Sequence, residues 1–459
     1  MISEDMDVER ARAMLAEFAE DAWTHVAWLV DEVGFDHDDY ERRPLGLLEP
    51  LERYVGDLGD EDPDPAADDA DDPWIALQVA LSAYVADVLI RSHGARWTVE
   101  GVPGEPTQSS FVLAVTGLDG RTRTLDPTDV VRDHFDPDEP DVYAPVVHGL
   151  DAAGVAPWHS PARPDDARGS DVTDVQRWLL GLCAHFARMN GYPVDRLGPS
   201  PDRPAADRIG ALRTLFQAWG AYDPELLDEQ VTFLLQHGMR AQFEEAATVA
   251  ASLSDRESDE YARLLRFARD ASAADRFGAE PCREDVRALS RLVELRYGTA
   301  SVDLLPHLVP LLTGERAPEA SPAAAELHWF LAQALDDPDF AEREIDRLEL
   351  NRDLAFQANR GRYLVWDAAR AFMVLRWAHM VGWLDAEECW DRVLPAARSV
   401  QRRYVSWRDM AACYLQARYL WAGRAPGDQA RYEDVVRDLA ADPAGPWTVP
   451  WDLPLRRDW

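Results

Sequence analysis

Several ionisable side chains that could do chemistry fall on one apolar stretch between Arg362 and Val381. This stretch is apolar nearly all the way round, which predicts a helix that other elements cover on most sides. It nevertheless carries Asp367, Arg370, Arg376 and His379. Charges in such a place must be paired or must line a cavity. We therefore predict a charged cluster in the C-terminal part of the chain.

Arg418 is a further candidate for this cluster, because it is the one charge on the apolar stripe of a following helix. It needs an acidic partner, and Asp367 is a candidate. Three roles stay open for the group. It can be a structural ion-pair network, or a pocket for an acidic ligand or peptide terminus, since three Arg against one Asp leave donors free. The third role is catalysis, but no nucleophile or poised base stands beside the group, and His379 can equally be a core histidine.

The turns around this helix are well specified. Gly382 follows its last turn as a C-terminal stop, and Asp385 with Glu388 forms a capping box for the next helix. Ser406 and Asp409 repeat the device. The spacing predicts three successive helices in this region.

The C-terminal region contains a set of aromatic and polar residues in a distinctive order. The set comprises Trp366, Asp367, Arg370, Gly382, Trp383, Glu388, Trp390, Gln401, Tyr404, Ser406, Trp407, Arg418 and Trp421. This order resembles the bacterial family called domain of unknown function 1266, over roughly the last hundred residues. The resemblance implies an all-helical C-terminal domain and brings no assigned activity.

Whole classes of chemistry are excluded by composition. The chain has no Lys, so Schiff-base chemistry and a Walker-type phosphate loop are ruled out. No nucleophile elbow, HExxH pair, dinucleotide-binding loop or Cys/His zinc spacing occurs. We predict no catalytic residue, no metal and no cofactor.

The charge balance bears on partners. There are 47 basic and 84 acidic residues, a formal net charge of −37. Nucleic acid and anionic membrane are therefore poor partners, and a protein partner is expected, with a basic protein as one candidate. Oligomeric state stays open.

Cysteine usage and the N-terminal sequence predict a cytoplasmic protein. The four Cys lie far apart and are expected to be buried thiols in a reducing compartment. The N-terminal sequence lacks an apolar signal region, and the apolar helix expected over 75–90 is taken as too short to span a bilayer.

The N-terminal part predicts a small α+β domain. Helices over 5–33 and 45–58 precede an acidic linker at 59–72, and a buried helix then leads to three short strands at 96–99, 111–116 and 122–125. The residues Ala83, Tyr84, Ala86, Asp87, Gly94 and Trp97 weakly resemble a widespread bacterial α+β domain of unassigned function. His134 is expected in a solvated loop.

The remaining chain predicts helices, so the fold class is mainly α. The region 137–170, rich in Pro, Asp and Gly, is expected to lack regular structure. We predict an α+β domain over 1–150, a linker over 151–170, a helical hairpin array over 171–355 and a Trp-rich helical domain over 356–459. Whether 206–272 contains true repeats stays open.

Two functions of different classes are compatible with these observations. The first is a non-catalytic protein-binding or regulatory scaffold, and its specific version is an immunity-like role toward a basic effector. The alternative is an enzyme of unknown class that uses the Arg/Asp pocket of the C-terminal helical domain. A purely structural or assembly component is a further possibility.

Overall fold

The computed structural model describes residues 8–60, 73–101, 109–156, 172–274, 282–313, 322–337, 339–359, 361–423 and 426–459. The chain divides into two compact units that interleave along the sequence. The first comprises Met1–Thr232, Ala371–Pro395 and Leu455–Trp459, and the second comprises Phe233–Arg370 and Ala396–Pro454. The predicted domains 1–150, 171–355 and 356–459 are a different division and stay a prediction.

The N-terminal two hundred or so residues supply most of the first unit. Its elements are α1 (Val8–Glu32), α2 (His37–Arg42), a 3₁₀ turn (Pro44–Leu47), α3 (Leu48–Asp60), α4 (Pro73–His93), β1 (Arg96–Gly101), β2 (Ser109–Thr116), β3 (Thr122–Leu125), α5 (Pro127–His134), α6 (Tyr143–Ala152), α7 (Asp174–Met189), α8 (Pro204–Trp219) and α9 (Pro224–Gln236).

The three strands form one antiparallel sheet in the order β1, β2, β3. Trp97 pairs with Leu113, and Leu113 pairs in turn with Leu125. The turn before β3 contains Gly120, whose φ of 75° suits a residue without Cβ. The predicted small sheet is confirmed, with β1 and β2 each two residues longer than expected.

Helix α4 is the apolar centre of this part, and its predicted length is wrong. It begins at Pro73 and ends at His93, which gives 21 residues with a mean hydropathy of 1.6 over the most apolar window. It is therefore long and apolar enough to cross a membrane by length and composition, yet 56% of that window is buried inside the protein. A buried core helix meets the same criterion, so the finding does not decide where the protein works.

The prediction that residues 137–170 lack regular structure is also wrong over 143–152, and the prediction of a solvated loop at His134 is wrong only as to the loop. Tyr143–Ala152 forms α6, which buries Tyr143, Val146 and Val147 and tolerates Pro145 because the missing N–H in the first helical turn costs no hydrogen bond. His134 is the last residue of α5, it is exposed as expected, and its ring stacks on that of His148 with centroids 3.7 Å apart. Residues 61–72 and 157–170 of the predicted linkers lie outside the described residues.

The second unit is helical throughout its described residues. Its elements are α10 (Arg240–Ser252), α11 (Asp255–Ala273), α12 (Arg283–Tyr297), a 3₁₀ turn (Gly298–Ala300), α13 (Ser301–Leu304), a 3₁₀ turn (Leu305–His307), α14 (Leu308–Leu312), α15 (Pro322–Asp336), α16 (Phe340–Leu350), α17 (Leu354–Ala358) and α20 (Trp407–Ala422), followed by α21 (Pro426–Ala441) and a 3₁₀ turn (Pro446–Thr448). Helices α18 (Leu364–Met380) and α19 (Ala386–Arg403) contribute residues to both units, as does the end of α9.

The core of the helical array is formed by leucines and aromatics of α11, α12, α15 and α16. Ser254 and Glu257 form a reciprocal capping box at the start of α11, so local residues determine the boundary between α10 and α11. Helices α13 and α14 are separated by a 3₁₀ turn at Leu305–His307, because Pro306 removes a backbone donor there. The mainly α fold class is confirmed.

Candidate functional site

Asp367 lies in the first turns of α18 and caps a helix that is distant in sequence. Met239 N–H donates to its Oδ1 at 2.9 Å, and Arg240 N–H donates to its Oδ2 at 3.2 Å. These amides start α10, where backbone donors have no partner inside their own helix. The carboxylate therefore does for α10 what an N-cap side chain does, and the helix dipole favours its negative charge.

Arg240 completes this arrangement. Its Nη1 donates to Asp367 Oδ2 at 3.0 Å and to the carbonyl of Leu234 at 2.9 Å, and its Nη2 donates to the carbonyl of Leu235 at 2.8 Å. The guanidinium thus joins the carboxylate to the last turn of α9. Sequence reasoning missed Arg240, since the pairing spans 127 residues and no local pattern indicates it.

Gly238 allows the close approach. Its φ is 63°, and a Cβ at this position would lie 2.2 Å from Asp367 Oδ2. Any larger residue would displace the carboxylate from the amides. The signal available in the sequence was a Gly immediately before a helix start, which by itself indicates only a turn.

Burial raises the pKa of the Asp367 carboxyl, opposed by the hydrogen bonds from Met239 and Arg240 and by the charges of Arg240 and Arg370. Burial likewise lowers the pKa of Arg370. Arg370 Nη1 lies 4.0 Å from Asp367 Oδ1, and its guanidinium lies over the ring of Trp366 at 5.3 Å. The predicted proximity of Asp367 and Arg370 is therefore present, but the closest cation is Arg240.

Arg376, in the first unit, is fully buried and holds a loop. Its Nη2 donates to the carbonyls of Pro193 and Arg196, each at 2.8 Å, and its Nε donates to that of Leu197 at 3.4 Å. Its Nη1 lies 3.7 Å from the sulfur of Cys183. Arg376 thus donates its hydrogen bonds to neutral acceptors. An anionic ligand was one of the predicted alternatives for these donors.

His379 contacts the turn that follows the end of α18. Its Nδ1 lies 3.1 Å from the carbonyl oxygen of Leu384, which is the first residue past the turn at Gly382 and Trp383. Gly382 has a φ of 77°, and its N–H donates to the carbonyl of His379. The predicted helix stop at Gly382 is seen in this geometry.

Arg418, in the second unit, lies against aromatic faces. Its guanidinium carbon is 4.0 Å from the centroid of Tyr432 and 5.7 Å from that of Trp421. Trp421 lies 5.7 Å from Trp366 in turn, and Trp366 lies 5.1 Å from Tyr414. Asp367 is held by hydrogen bonds from Met239 and Arg240. Arg418 lies in an aromatic cluster and makes cation–π contacts there.

Three residues of the predicted motif bind backbone groups, two of them in the C-terminal segment and one at the start of α18. Trp407 Nε1 donates to the carbonyl of Val449 at 2.8 Å. Gln401 Nε2 donates to the carbonyls of Trp451 and Leu453 at 2.7 and 2.8 Å. Tyr404 receives the N–H of Val365 on its hydroxyl, so it also secures the start of α18. These side chains bind the protein's own backbone.

The other motif residues have structural surroundings as well. Trp390 packs near Phe372, with centroids 5.9 Å apart, and Trp383 stacks near Phe216 at 6.4 Å. Ser406 accepts the N–H of Asp409 at 3.1 Å as the N-cap of α20.

A second buried charge network in the second unit was not predicted. Arg296 donates to Glu344 and to Glu245, both at 2.7 Å, and its guanidinium lies over the ring of Phe330 at 4.6 Å. Burial raises the pKa of Glu245. Each of the three charged residues stands on an ordinary amphipathic helix, so nothing in the sequence distinguishes them from solvated charges.

The described residues contain no group of three or more His, Cys, Asp or Glu that could hold a metal ion. The four Cys are free, and the expectation that all are buried is wrong for the exposed Cys282. Chemically, the predicted cluster caps a helix, anchors a loop and stacks on aromatics.

Fold and site together define a mainly helical protein whose buried charges are held largely by backbone groups and aromatic rings. The family described as protein of unknown function (DUF1266) matches residues 214–451, which is more than half of the chain, and the protein belongs to this family. The predicted resemblance is confirmed and reaches well upstream of the last hundred residues. No curated protein matches the chain. No solved structure matches it either. The resemblance of the N-terminal region to an α+β domain stays a prediction.

Proposed function

We propose that this protein is a non-catalytic protein-binding or regulatory scaffold whose partners are basic. One observation carries the proposal: 84 acidic residues stand against 47 basic ones, a formal net charge of −37. A field of this size accelerates encounter with cationic proteins and opposes binding to nucleic acid and to anionic membranes. The most specific form of the proposal is an immunity-like role toward a basic effector.

The geometry of the charged cluster supports a scaffold over the enzyme alternative. Asp367 is the acid on which a catalytic Arg/Asp pocket would depend, and it accepts two backbone N–H groups and the Arg240 guanidinium. Arg376 donates to loop carbonyls. A general base must reach a substrate proton. The oxygens of Asp367 already accept three hydrogen bonds from the protein, which leaves them little access to a substrate.

A cytoplasmic location is part of the proposal. The four cysteines are free thiols, three of them buried, as expected of a protein kept in a reducing compartment.

Capture of partners from an extract of the native host at low and at high salt tests the proposal. Electrostatic steering predicts capture of a basic protein whose association rate falls steeply with ionic strength, while its dissociation rate changes little. The captured protein is then purified, and its association rate is measured against the full chain.

Two charge variants sharpen the measurement. One neutralises the exposed Asp136, Asp138 and Glu139, and its matched control neutralises the exposed Glu9, Glu17 and Glu20 on α1. Steering by the whole field predicts a similar, modest slowing for both variants. A dissociation rate that rises in only one of them locates the docking face. Absence of any basic partner, or capture that salt leaves unchanged, overturns the proposal.

A further inference from the structure

A cavity of 270 Å³ lies within the first unit, among α1, α4, β1 and α5. It is independent of the charged cluster and of the proposed scaffold function. Its apolar walls are formed by Phe18, Ala22, Ile75, Val79, Trp97 and Val131.

One wall of the cavity is a preorganised aromatic surface. Phe18 stacks on Phe111 with ring centroids 4.0 Å apart and an interplanar angle of 10°. Trp97 meets Phe18 edge to face, at 5.0 Å and 89°. Rings fixed on a helix and on a sheet present a flat apolar face without losing conformational entropy on binding.

Helix α4 supplies the opposite wall, and it is more apolar than the core requires. Leu77, Ala80 and Leu81 are buried, and these positions already give α4 its core face. Ile75 and Val79 line the cavity instead, and they remain 51% and 38% exposed. Large aliphatic side chains left exposed in a concavity are typical of a ligand site.

The polar groups at the cavity favour a neutral or cationic ligand. Asp21 and His25 of α1 lie on one side, 4.0 Å apart. Arg132 lies on the other, but Asp129 at 2.6 Å and Asp133 at 3.3 Å offset its charge. The carboxylate of Asp21 at the rim and those of Asp129 and Asp133 beside Arg132 thus outnumber this one Arg, and a bound anion would be repelled.

We infer that this cavity binds a small molecule with an apolar, ring-like body and a neutral or cationic polar end. The volume of 270 Å³ is near the low end of small-molecule pockets, roughly 300–1,000 Å³, so the body has the size of one or two rings. Ser82 and Gln78, on the same wall, provide polar atoms that orient the ligand.

Three indole derivatives of nearly equal shape test the inference on the full chain. Tryptamine is cationic, tryptophol is neutral and indole-3-acetate is anionic. Binding is measured by isothermal titration calorimetry and by saturation-transfer NMR. The rim charge predicts that tryptamine and tryptophol bind and that indole-3-acetate binds about tenfold more weakly than tryptamine, which is the effect of about one unfavourable charge contact. Equal binding of the three, or none by any, overturns the inference.

Variants place the binding in the cavity. Ala22→Phe fills the space beside Phe18 and is expected to weaken tryptophol binding at least about tenfold. Ala13→Phe, at an exposed position of the same helix that does not line the cavity, is the matched control and should bind like the wild type.

Val79→Thr keeps the shape of the wall and adds a hydroxyl, so it should weaken binding several-fold even if Ala22→Phe folds poorly. Asp21→Asn should reduce the preference for tryptamine over indole-3-acetate. Wild-type affinity in both Ala22→Phe and Val79→Thr would show that the probes bind elsewhere, and the inferred site would be wrong.

Discussion

The two halves of α18 hold neighbouring backbone segments by opposite chemistry. In the first half, within the second unit, Asp367 is an anion that accepts N–H groups from the start of α10. In the second half, within the first unit, Arg376 is a cation that donates to the carbonyls of residues 193–197. Each buried charge supplies hydrogen bonds that a turn or helix end cannot form for itself.

The difference lies in how each charge is balanced. Asp367 has Arg240 as a counter-ion at 3.0 Å, whereas Arg376 is surrounded by carbonyl dipoles and by the sulfurs of Cys183 and Met373. A carbonyl-lined site stabilises a guanidinium because its five N–H donors can reach several oxygens at once. An ionisable residue on an apolar helix therefore does not imply an acidic or basic partner.

Asp367→Ala should give the largest loss of stability. It removes the acceptor of two helix-start amides and the counter-ion of the partly buried Arg240, and breaking a buried pair costs about 3–5 kcal/mol. Asp353→Ala is the matched control, since Asp353 is a local N-cap of α17 that accepts the N–H of Ala355. That change should cost only about 1 kcal/mol. Urea unfolding of both variants compares the free energies, and equal losses would contradict the long-range capping role.

Arg376→Met should cost somewhat less, roughly 2–4 kcal/mol, because buried carbonyls lose their donors while the apolar packing is kept. Arg376→Lys should be intermediate, since one ammonium cannot reach all three carbonyls. Thermal melts with and without small anions provide the test. An unchanged melting temperature in Arg376→Gln, together with loss of stabilisation by an added anion, would instead favour a ligand pocket.

Gly238→Ala should cost roughly 2–3 kcal/mol. A left-handed conformation costs a non-glycine residue about 1–2 kcal/mol, and the new methyl group also displaces the Asp367 carboxylate. Gly220→Ala has nearly the same φ, 58°, with no heavy atom within 4 Å of its Cβ. The difference between the two free energies of unfolding isolates the collision with Asp367. No difference would mean that the carboxylate moves aside freely.

His185, two residues after Cys183 on α7, should make stability depend on pH. Burial lowers the pKa of His185 from 6.5 to about 3, so the unfolded chain takes up a proton that the folded chain does not between these values. Stability from this group is present above pH 6.5 and is lost as pH falls, by about 1.4 kcal/mol per pH unit. His185→Leu should remove that share of the slope. Parallel pH profiles for the two proteins would contradict this assignment.

Ser406→Ala should have the smallest effect, about 1 kcal/mol, because only one N-cap hydrogen bond to α20 is lost. Ser406→Asp is expected to restore stability, since Asp is an equally good cap. A melting series resolves the three proteins. A loss much larger than this in the Ala variant would show that Ser406 has a second role.

Local sequence signals predicted elements and helix ends well. The capping residues Ser406 and Asp385 and the stop at Gly382 depend on residues within a few positions of each other. The failures came where local signals compete. Pro145 and Gly149 suggested a loop over α6, whereas burial of Tyr143, Val146 and Val147 favours the helix. Tertiary packing outweighs local propensity in such segments.

The candidate site was predicted in part. Helical periodicity predicted which helix carries buried charges. It also predicted that Asp367 and Arg370 share a face of that helix. The actual partners did not follow, because Arg240 is 127 residues away and the acceptors of Arg376 lie 179 to 183 residues away.

The sequence by itself determined the helical class, the family, the acidic charge and the positions where charges interrupt an apolar helix. Only the tertiary structure decided what those charges do. Periodicity records which face of a helix is buried, but a hydrogen bond depends on distance and angle between groups that the chain brings together from far apart. Asp367 could become a helix cap only because Gly238, with a φ of 63° and no side chain, lets the start of α10 reach it.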